Sequence, residues 1–373
     1  MRILVTNADY ANALAAVRSL GGHGLEVLCG SERRRAQSFY SRYCVKRLIY
    51  PAPAKEAEFV RSMTAFANSE KLDVILPIGY NENVVISKHA SELSGTVKLP
   101  IAPWESMRIA SDKALTMQLA GRVGVGIPRV FSSPDEVDSF PVVVKGVGGS
   151  GNVSYVNSKE DLAATSTEGA VIQEYVPGDG YGFFALFNRG ALRAVFMHRR
   201  LREFPVTGGA STAAESIFDP ELKAEGLKLL SALNWHGVAM AEFKKDSRDG
   251  KFKLMEINPK FWGSLDLSIA SGVDFPYLAV KMAVDGDVEP VMDYEKGVRF
   301  RWLLPYDVMH VLAKPASAKE FVSDFCNPKT ISNIWPRDLG PNVFQAAMTV
   351  GSVGTRLVRG TLKHPHGIPR EAP

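Results

Sequence analysis

Short apolar runs alternate with amphipathic segments from the first residues onward. Ile3–Thr6 has the length of a buried strand, Asn12–Leu20 has helical spacing, and Glu26–Cys29 returns to a strand after the break Gly21-Gly22-His23-Gly24. Strand, helix, strand predicts a parallel sheet. Leu72–Pro77 adds a buried strand and Asn83–Glu92 a helix, so residues 1–104 read as a small doubly wound α/β domain. Trp104–Gly124 is helical in pattern. From Pro141 the chain turns β-rich: Val142–Lys145 and Val171–Val176 are strands, the second ended by Pro177-Gly178. Gly182 to Glu256 alternates strands with one helix, Pro220–Leu233, and a helical stretch, Asp274–Ala283, follows. No repeat or low-complexity segment interrupts this order.

The strand pair at the end of the β-rich part carries the most chemistry. Glu242 lies in Ala-Glu-Phe-Lys-Lys, Asp249-Gly250 supplies a hairpin turn, and Met-Glu-Ile-Asn-Pro follows with Glu256 and Asn258. Glu256 and Asn258 are two apart and face the same side of a strand. Hard oxygen donors converging on one face suit Mg²⁺, especially where phosphate completes the shell. Glu242 and Glu256 are equally readable as solvent-facing strand residues, with Asn258-Pro259 as a turn.

Composition narrows the class. At 373 residues with 46% hydrophobic and 23% charged residues, the chain has ample core for two or three domains. A formal charge of +4 without a long basic run excludes nucleic acid as the favoured partner and leaves a phosphate-rich substrate open. Cys29, Cys44 and Cys326 have no metal or redox spacing and fit free thiols in a reducing cytosol. No signal peptide or membrane-spanning run is read, so the expected location is cytoplasmic. The first strand leads into Thr6-Asn7-Ala8-Asp9-Tyr10 rather than a GxGxxG loop, which argues against a dinucleotide there.

Three further segments are candidates. Lys145 precedes Gly146-Val147-Gly148-Gly149-Ser150-Gly151-Asn152, where backbone N–H groups can approach phosphate; a plain hairpin loop fits as well. Ile172–Gly178 ends a strand with Glu174, Tyr175 and Val176, able to pair with an adenine edge, with Asp179 placed for a ribose hydroxyl; an exposed edge strand is the simpler reading. His198-Arg199-Arg200-Leu201-Arg202 is a cationic run before Pro205 and Gly208-Gly209, suited to phosphate or carboxylate, or else a solvated charged face. In the last part, Asn342–Arg359 fits a helix that, with Lys363 and Arg370, could meet a membrane surface or a partner; a solvated terminal helix is the simpler reading, and Lys363 to Pro373 is expected to fray.

Taken in order, Ser111-Asp112-Lys113, Pro141–Asn152 with Lys145, Gln173–Gly178, Glu242 and Glu256-Ile257-Asn258-Pro259 resemble the ATP-grasp superfamily over roughly residues 105–290. The phrase Glu-Ile-Asn-Pro-Lys-Phe-Trp-Gly-Ser is most similar to its carbamoyl-phosphate synthetase large-chain and carboxylate–amine ligase branch. The resemblance implies an α/β N-terminal domain (1–104), a lid subdomain (105–178), an α+β Mg/ATP-binding subdomain (179–290) and a C-terminal extension (291–373). It implies ATP with one or two Mg²⁺, or Mn²⁺ in their place.

Residue by residue, the resemblance implies that Lys113 and Lys145 contact phosphates and that Gly148, Gly149, Ser150 and Gly151 close over them. Glu174, Tyr175 and the Val176 backbone would hold adenine, and Asp179 the ribose. Glu242, Glu256 and Asn258 would bind metal, Arg200 or Arg202 would face the γ-phosphate or the acyl phosphate, and Lys260 would stabilise an anion. Lys260 departs from the arginine common in this branch, keeping the charge without the bidentate fork. The activity implied is ATP-dependent joining of a small carboxylate to an amine through an acyl phosphate. Activation of bicarbonate or carbamate and a non-catalytic nucleotide-binding module are the alternatives. Partners are small molecules, with a homodimer compatible.

Overall fold

The computed structural model describes residues 1–146, 153–206 and 209–358. Four parallel strands, β1 (Arg2–Val5), β2 (Glu26–Ser31), β3 (Cys44–Ile49) and β4 (Val74–Leu76), form the first sheet in the order β3-β2-β1-β4. The chain moves outward from β1 to β3, then crosses back to place β4 on the other side of β1. That reversal opens a crevice at the carboxyl ends of β1 and β4. The hydrophobic pattern misses β3 and the helix Glu56–Ser69. In β3 only Leu48 is buried while Val45, Lys46 and Arg47 are exposed, so this edge strand has no apolar run to read.

The expected single helix over Trp104–Gly124 is two, Trp104–Ser111 and Lys113–Arg122. Asp112 is extended between them, and its carboxylate accepts the Leu115 N–H at 3.0 Å as an N-cap. The cap sets Lys113 as the first residue of the second helix.

A small antiparallel sheet follows: β5 (Val130–Phe131), β6 (Val142–Gly146), β7 (Val153–Val156) and β8 (Ala170–Glu174), ordered β5-β8-β6-β7. It has its own core of Phe131, Val142, Val144, Val156, Leu162 and Ile172.

The largest sheet holds β9 (Gly180–Asn188), β10 (Ala191–Phe204), β11 (Ala210–Ser216), β12 (Gly237–Lys245), β13 (Phe252–Asn258), β14 (Arg299–Arg301) and β15 (Thr330–Ser332), in the order β13-β12-β9-β10-β11-β14-β15. All its pairs are antiparallel except β14–β15. Alternate residues of β9 serve two cores: Phe183, Ala185 and Phe187 pack with Leu229 and Trp235, while Phe184 and Leu186 pack with Phe261, Trp262 and Phe275. Residues beyond 290 join this sheet through β14 and β15. Among the described residues, no helix is long and apolar enough to cross a membrane.

Candidate active site

Two β-bulges decide where the charged side chains of the large sheet point. On β12 and β13, Glu242 stands directly opposite Glu256 and Met240 opposite Asn258, but Phe243 is opposite Leu254 because Met255 is the extra residue. Without that bulge, Leu254 and Glu256 would share a face; with it, Leu254 joins Phe243 in the core and Glu256 turns to Glu242. Like charges directly opposed across a strand pair destabilise it unless cations intervene. Here two do. The Arg200 guanidinium is 2.6 Å from Glu242 and the Lys113 ammonium 3.5 Å from Glu256. Asn258 turns its amide nitrogen to Glu256 at 2.8 Å, so its oxygen is the end available to a cation.

The second bulge lies on β10, where Arg200 is opposite Ala214 and Arg202 opposite Ala213. Strict alternation would put the two arginines on one face; the shift at Leu201 puts them on opposite faces. Arg200 crosses the sheet toward Glu242 over Gly180, where a Cβ would come within 2.9 Å of its Cδ. Burial opposes the charge on Arg200, and Glu242, Glu203 and Glu256 outweigh it, raising its pKa above the ordinary arginine value. Its Nε is buried without an acceptor among the described residues, a donor left for a bound anion.

Arg202 is not brought to this site. It is buried on the far face, bidentate to Asp307 (2.8 Å to each carboxylate oxygen) and 2.6 Å from Asp324, so its work is to hold the segment after residue 300 against β10. The cationic run is therefore neither one anion site nor a solvated face. His198 is buried with both ring nitrogens unpartnered among the described residues, and burial lowers its pKa to about 3, while Arg199 pairs with Glu215 at 2.9 Å.

Lys145, at the end of β6, lies within electrostatic reach of the same carboxylates. Burial pushes its ammonium below the ordinary lysine range, against the pull of Glu256 and Glu242. Lys260 behaves likewise, depressed by burial and raised by Glu256 and Glu242. Gly148, Gly149, Ser150 and Gly151 lie outside the described residues.

The proposed adenine segment is engaged within the protein. Glu174 accepts the Arg129 N–H at 2.9 Å and pairs with Arg248 at 3.1 Å, so both carboxylate oxygens have partners. The Val176 carbonyl accepts from the Lys244 ammonium at 2.6 Å, and that ammonium lies 5.0 Å from the Tyr175 ring centroid. The Asp179 carbonyl accepts the Lys245 N–H at 3.1 Å. Between them Gly178 has φ +119°, and a Cβ there would meet the Lys245 carbonyl at 2.0 Å, so only glycine lets this turn dock on β12.

A cleft of about 200 Å³ opens beside Glu256, lined by Lys113, Asn258, Lys260, Ser111, Tyr10 and Tyr80. Tyr10 and Tyr80 follow β1 and β4, at the crevice that the strand reversal predicts. Tyr80 donates its hydroxyl to the Ser111 carbonyl at 2.8 Å. Sequence reasoning missed both tyrosines. Their signal is position, just beyond the two strands that flank the reversal, and no local motif carries it.

The donor set can be tested against Mg²⁺. Two opposed carboxylates and a carboxamide oxygen are hard ligands, but among the described residues no group of three or more His, Cys, Asp or Glu could hold a metal alone. That fits an ion that arrives with phosphate oxygens and does not fit an all-protein cage.

A family model described as "ATP-grasp in the biosynthetic pathway with Ter operon" matches residues 166–304. The 5-formaminoimidazole-4-carboxamide-1-(beta)-D-ribofuranosyl 5'-monophosphate synthetase of Ignicoccus hospitalis is 33% identical over 209 residues, 50% of this chain and 56% of that protein. The chain spans about half the length of the curated relatives it matches. Among solved structures, Campylobacter jejuni biotin carboxylase superposes with a TM-score of 0.63 at 18% identity, over 80% of this chain and 74% of that one. Staphylococcus aureus N5-carboxyaminoimidazole synthetase superposes with a TM-score of 0.62 at 15% identity, over 86% of each chain. The matched stretch runs from just before β8 through β14, the part that carries the opposed glutamates, and the chain shares the overall fold of these solved structures.

Proposed function

We propose that this protein is an ATP-dependent ligase that activates a small carboxylate as an acyl phosphate and joins it to an amine, releasing ADP and phosphate. The observation that carries the reading is the opposed pair Glu242–Glu256, flanked by Arg200 and Lys113 beside a cleft that also holds Lys260. ATP-grasp enzymes use ATP and Mg²⁺, and the curated relatives are named synthetases.

Glu242, Glu256 and Asn258 would hold Mg²⁺ together with phosphate oxygens; the ion, when bound, neutralises charge on the phosphates. The cations then have distinct tasks. Lys145 and Lys113 bind and orient phosphate, and Arg200 offers its unpartnered Nε to the oxygens that gain charge during transfer. Lys260 holds the carboxylate of the acceptor as a point charge. Tyr10 and Tyr80 wall the acceptor cleft and exclude water, which protects an acyl phosphate from hydrolysis. Phosphoryl transfer of this kind needs positioning and charge more than a side-chain nucleophile.

The test is ADP release in a screen of small carboxylates with and without amines. Release that requires both substrates supports the ligase. Release driven by bicarbonate alone, or tight nucleotide binding with no release, contradicts it.

A further inference from the structure

Over residues 339–351 the terminal helix, Leu339–Val358, buries polar side chains against the protein: Asn342, Gln345 and Thr349, at i, i+3 and i+7, are all buried, beside Pro341 and the half-buried Phe344. Asn342 donates to the Asn333 carbonyl at 2.9 Å and accepts the Trp335 N–H at 3.1 Å. Gln345 donates to the Gln37 side chain at 2.6 Å, and Thr349 to the Gln345 carbonyl at 2.7 Å. Its outward stripe is apolar: Leu339, Val343, Ala347 and Val350, at i, i+4, i+8 and i+11, occupy one face of a 3.6-residue helix. Val343 is 68% exposed and Val350 77%. A helix that merely covers a domain has the reverse arrangement, and a contiguous apolar stripe left in water marks an interaction surface.

Exposed arginines rim this helix. Arg42 donates to the Arg337 carbonyl at 3.4 Å, just before the helix begins. Arg47 lies 5.3 Å from the Tyr40 ring centroid, and Tyr40 stacks on Phe344 of the helix at 5.0 Å. Arg42, Arg47 and Arg337 are all exposed. The sequence adds to this asymmetry. Residues 314–373 hold eight of the chain's 44 lysines and arginines but only four of its 40 acids, so the whole formal excess of +4 falls there. Two of those four acids, Asp324 and Asp338, are buried against Arg202 and Arg18 and lend no charge to the surface.

We propose that this face docks on an anionic lipid bilayer, with the helix lying in the headgroup plane, the stripe Leu339–Val343–Ala347–Val350 entering the acyl boundary and the arginines meeting lipid phosphates. An apolar helix face with a basic rim is complementary to such a surface, and each basic residue near it adds attraction that salt screens. A second copy of the chain is a poorer occupant. A two-fold interface repeats the same patch on both sides and would set the Arg42–Arg47–Arg337 rim against itself. The attachment is peripheral, since no described helix is long and apolar enough to span.

The test is co-sedimentation of the full chain with vesicles of phosphatidylcholine alone and of phosphatidylcholine mixed with phosphatidylglycerol. The chain is expected to pellet with the mixed vesicles only, and to be released by high salt. Val343→Glu with Val350→Glu is expected to abolish pelleting with no change in thermal melting, since both side chains are already in water. Arg42→Gln with Arg337→Gln is expected to weaken it roughly tenfold or more. The proposal is overturned if the chain stays in the supernatant with both vesicle types, or if the double glutamate variant pellets like the parent. It is also overturned if sedimentation velocity shows a concentration-dependent dimer that the double glutamate variant dissolves, which would assign the face to a second copy.

Discussion

Glu242 and Glu256 face each other directly across β12 and β13, two like charges held in register by Arg200 on one side and Lys113 on the other. Such a pair costs stability in an isolated hairpin. Its retention beside a cleft, with an unpartnered arginine Nε close by, is the physical sign of a site shaped for a cation and an anion together.

Replacing Glu256 by Gln keeps the volume and removes one of the two opposed charges. Turnover is expected to fall at least about a hundredfold, as when a preorganised electrostatic contact is lost. Stability is expected to hold or rise slightly, because the repulsion from Glu242 disappears. ADP release and thermal melting of one preparation check both halves.

Arg200 and Arg202 are two residues apart, yet they should behave as residues of different kinds. Arg202→Ala leaves the buried Asp307 carboxylate without its cation and is expected to destabilise by about 3–5 kcal/mol in urea unfolding. Arg200→Ala leaves Glu242 partly exposed to counter-ions and is expected to lose turnover with a much smaller stability change. Equal effects of the two substitutions in both assays would contradict the division that the Leu201 bulge creates.

Lys145 is poised near carboxylates but depressed by burial, which suits a phosphate contact that strengthens when an anion enters. Lys145→Ala is expected to weaken ATP binding roughly tenfold, the worth of a charge-assisted contact. Calorimetric titration reads it, and an unchanged Kd counts against the role.

Asp266 supplies a separate pH signature. Burial raises its carboxyl to about 6 from an ordinary 3.8, although the Trp302 indole N–H donates to it at 3.1 Å. The folded state thus binds this proton more tightly than the unfolded chain. The stabilisation is complete below about 3.8 and is lost as pH rises through about 6. Asp266→Asn is expected to flatten that part of the stability curve, by about 3 kcal/mol between the two limits. Urea midpoints at stepped pH check it.

Much of this was legible in the residues, for reasons that can be located. The β1–helix–β2 order follows from apolar runs separated by glycines, and the Glu256/Asn258 pairing follows from strand period alone. The two bulges were not legible, because nothing in Arg200-Leu201-Arg202 or Leu254-Met255-Glu256 announces an extra residue. The cationic run therefore reads as one unit in the sequence, Arg200 with Arg202. Tyr10 and Tyr80 escaped because a cleft between domains is a product of topology, which brings together single residues 70 positions apart. The buried polar face of the terminal helix escaped because Asn342, Gln345 and Thr349 look solvent-facing until Gln37 and Asn333 are found beneath them.

The central claim is that the opposed glutamates are the metal end of a nucleotide site. It is tested most directly by calorimetric titration of ATP, with and without Mg²⁺, into the parent chain and into Glu242→Gln with Glu256→Gln. The parent is expected to bind ATP more tightly when Mg²⁺ is present, and the double variant, still folded, to lose that dependence. A double variant whose ATP binding responds to Mg²⁺ as the parent's does would contradict the claim.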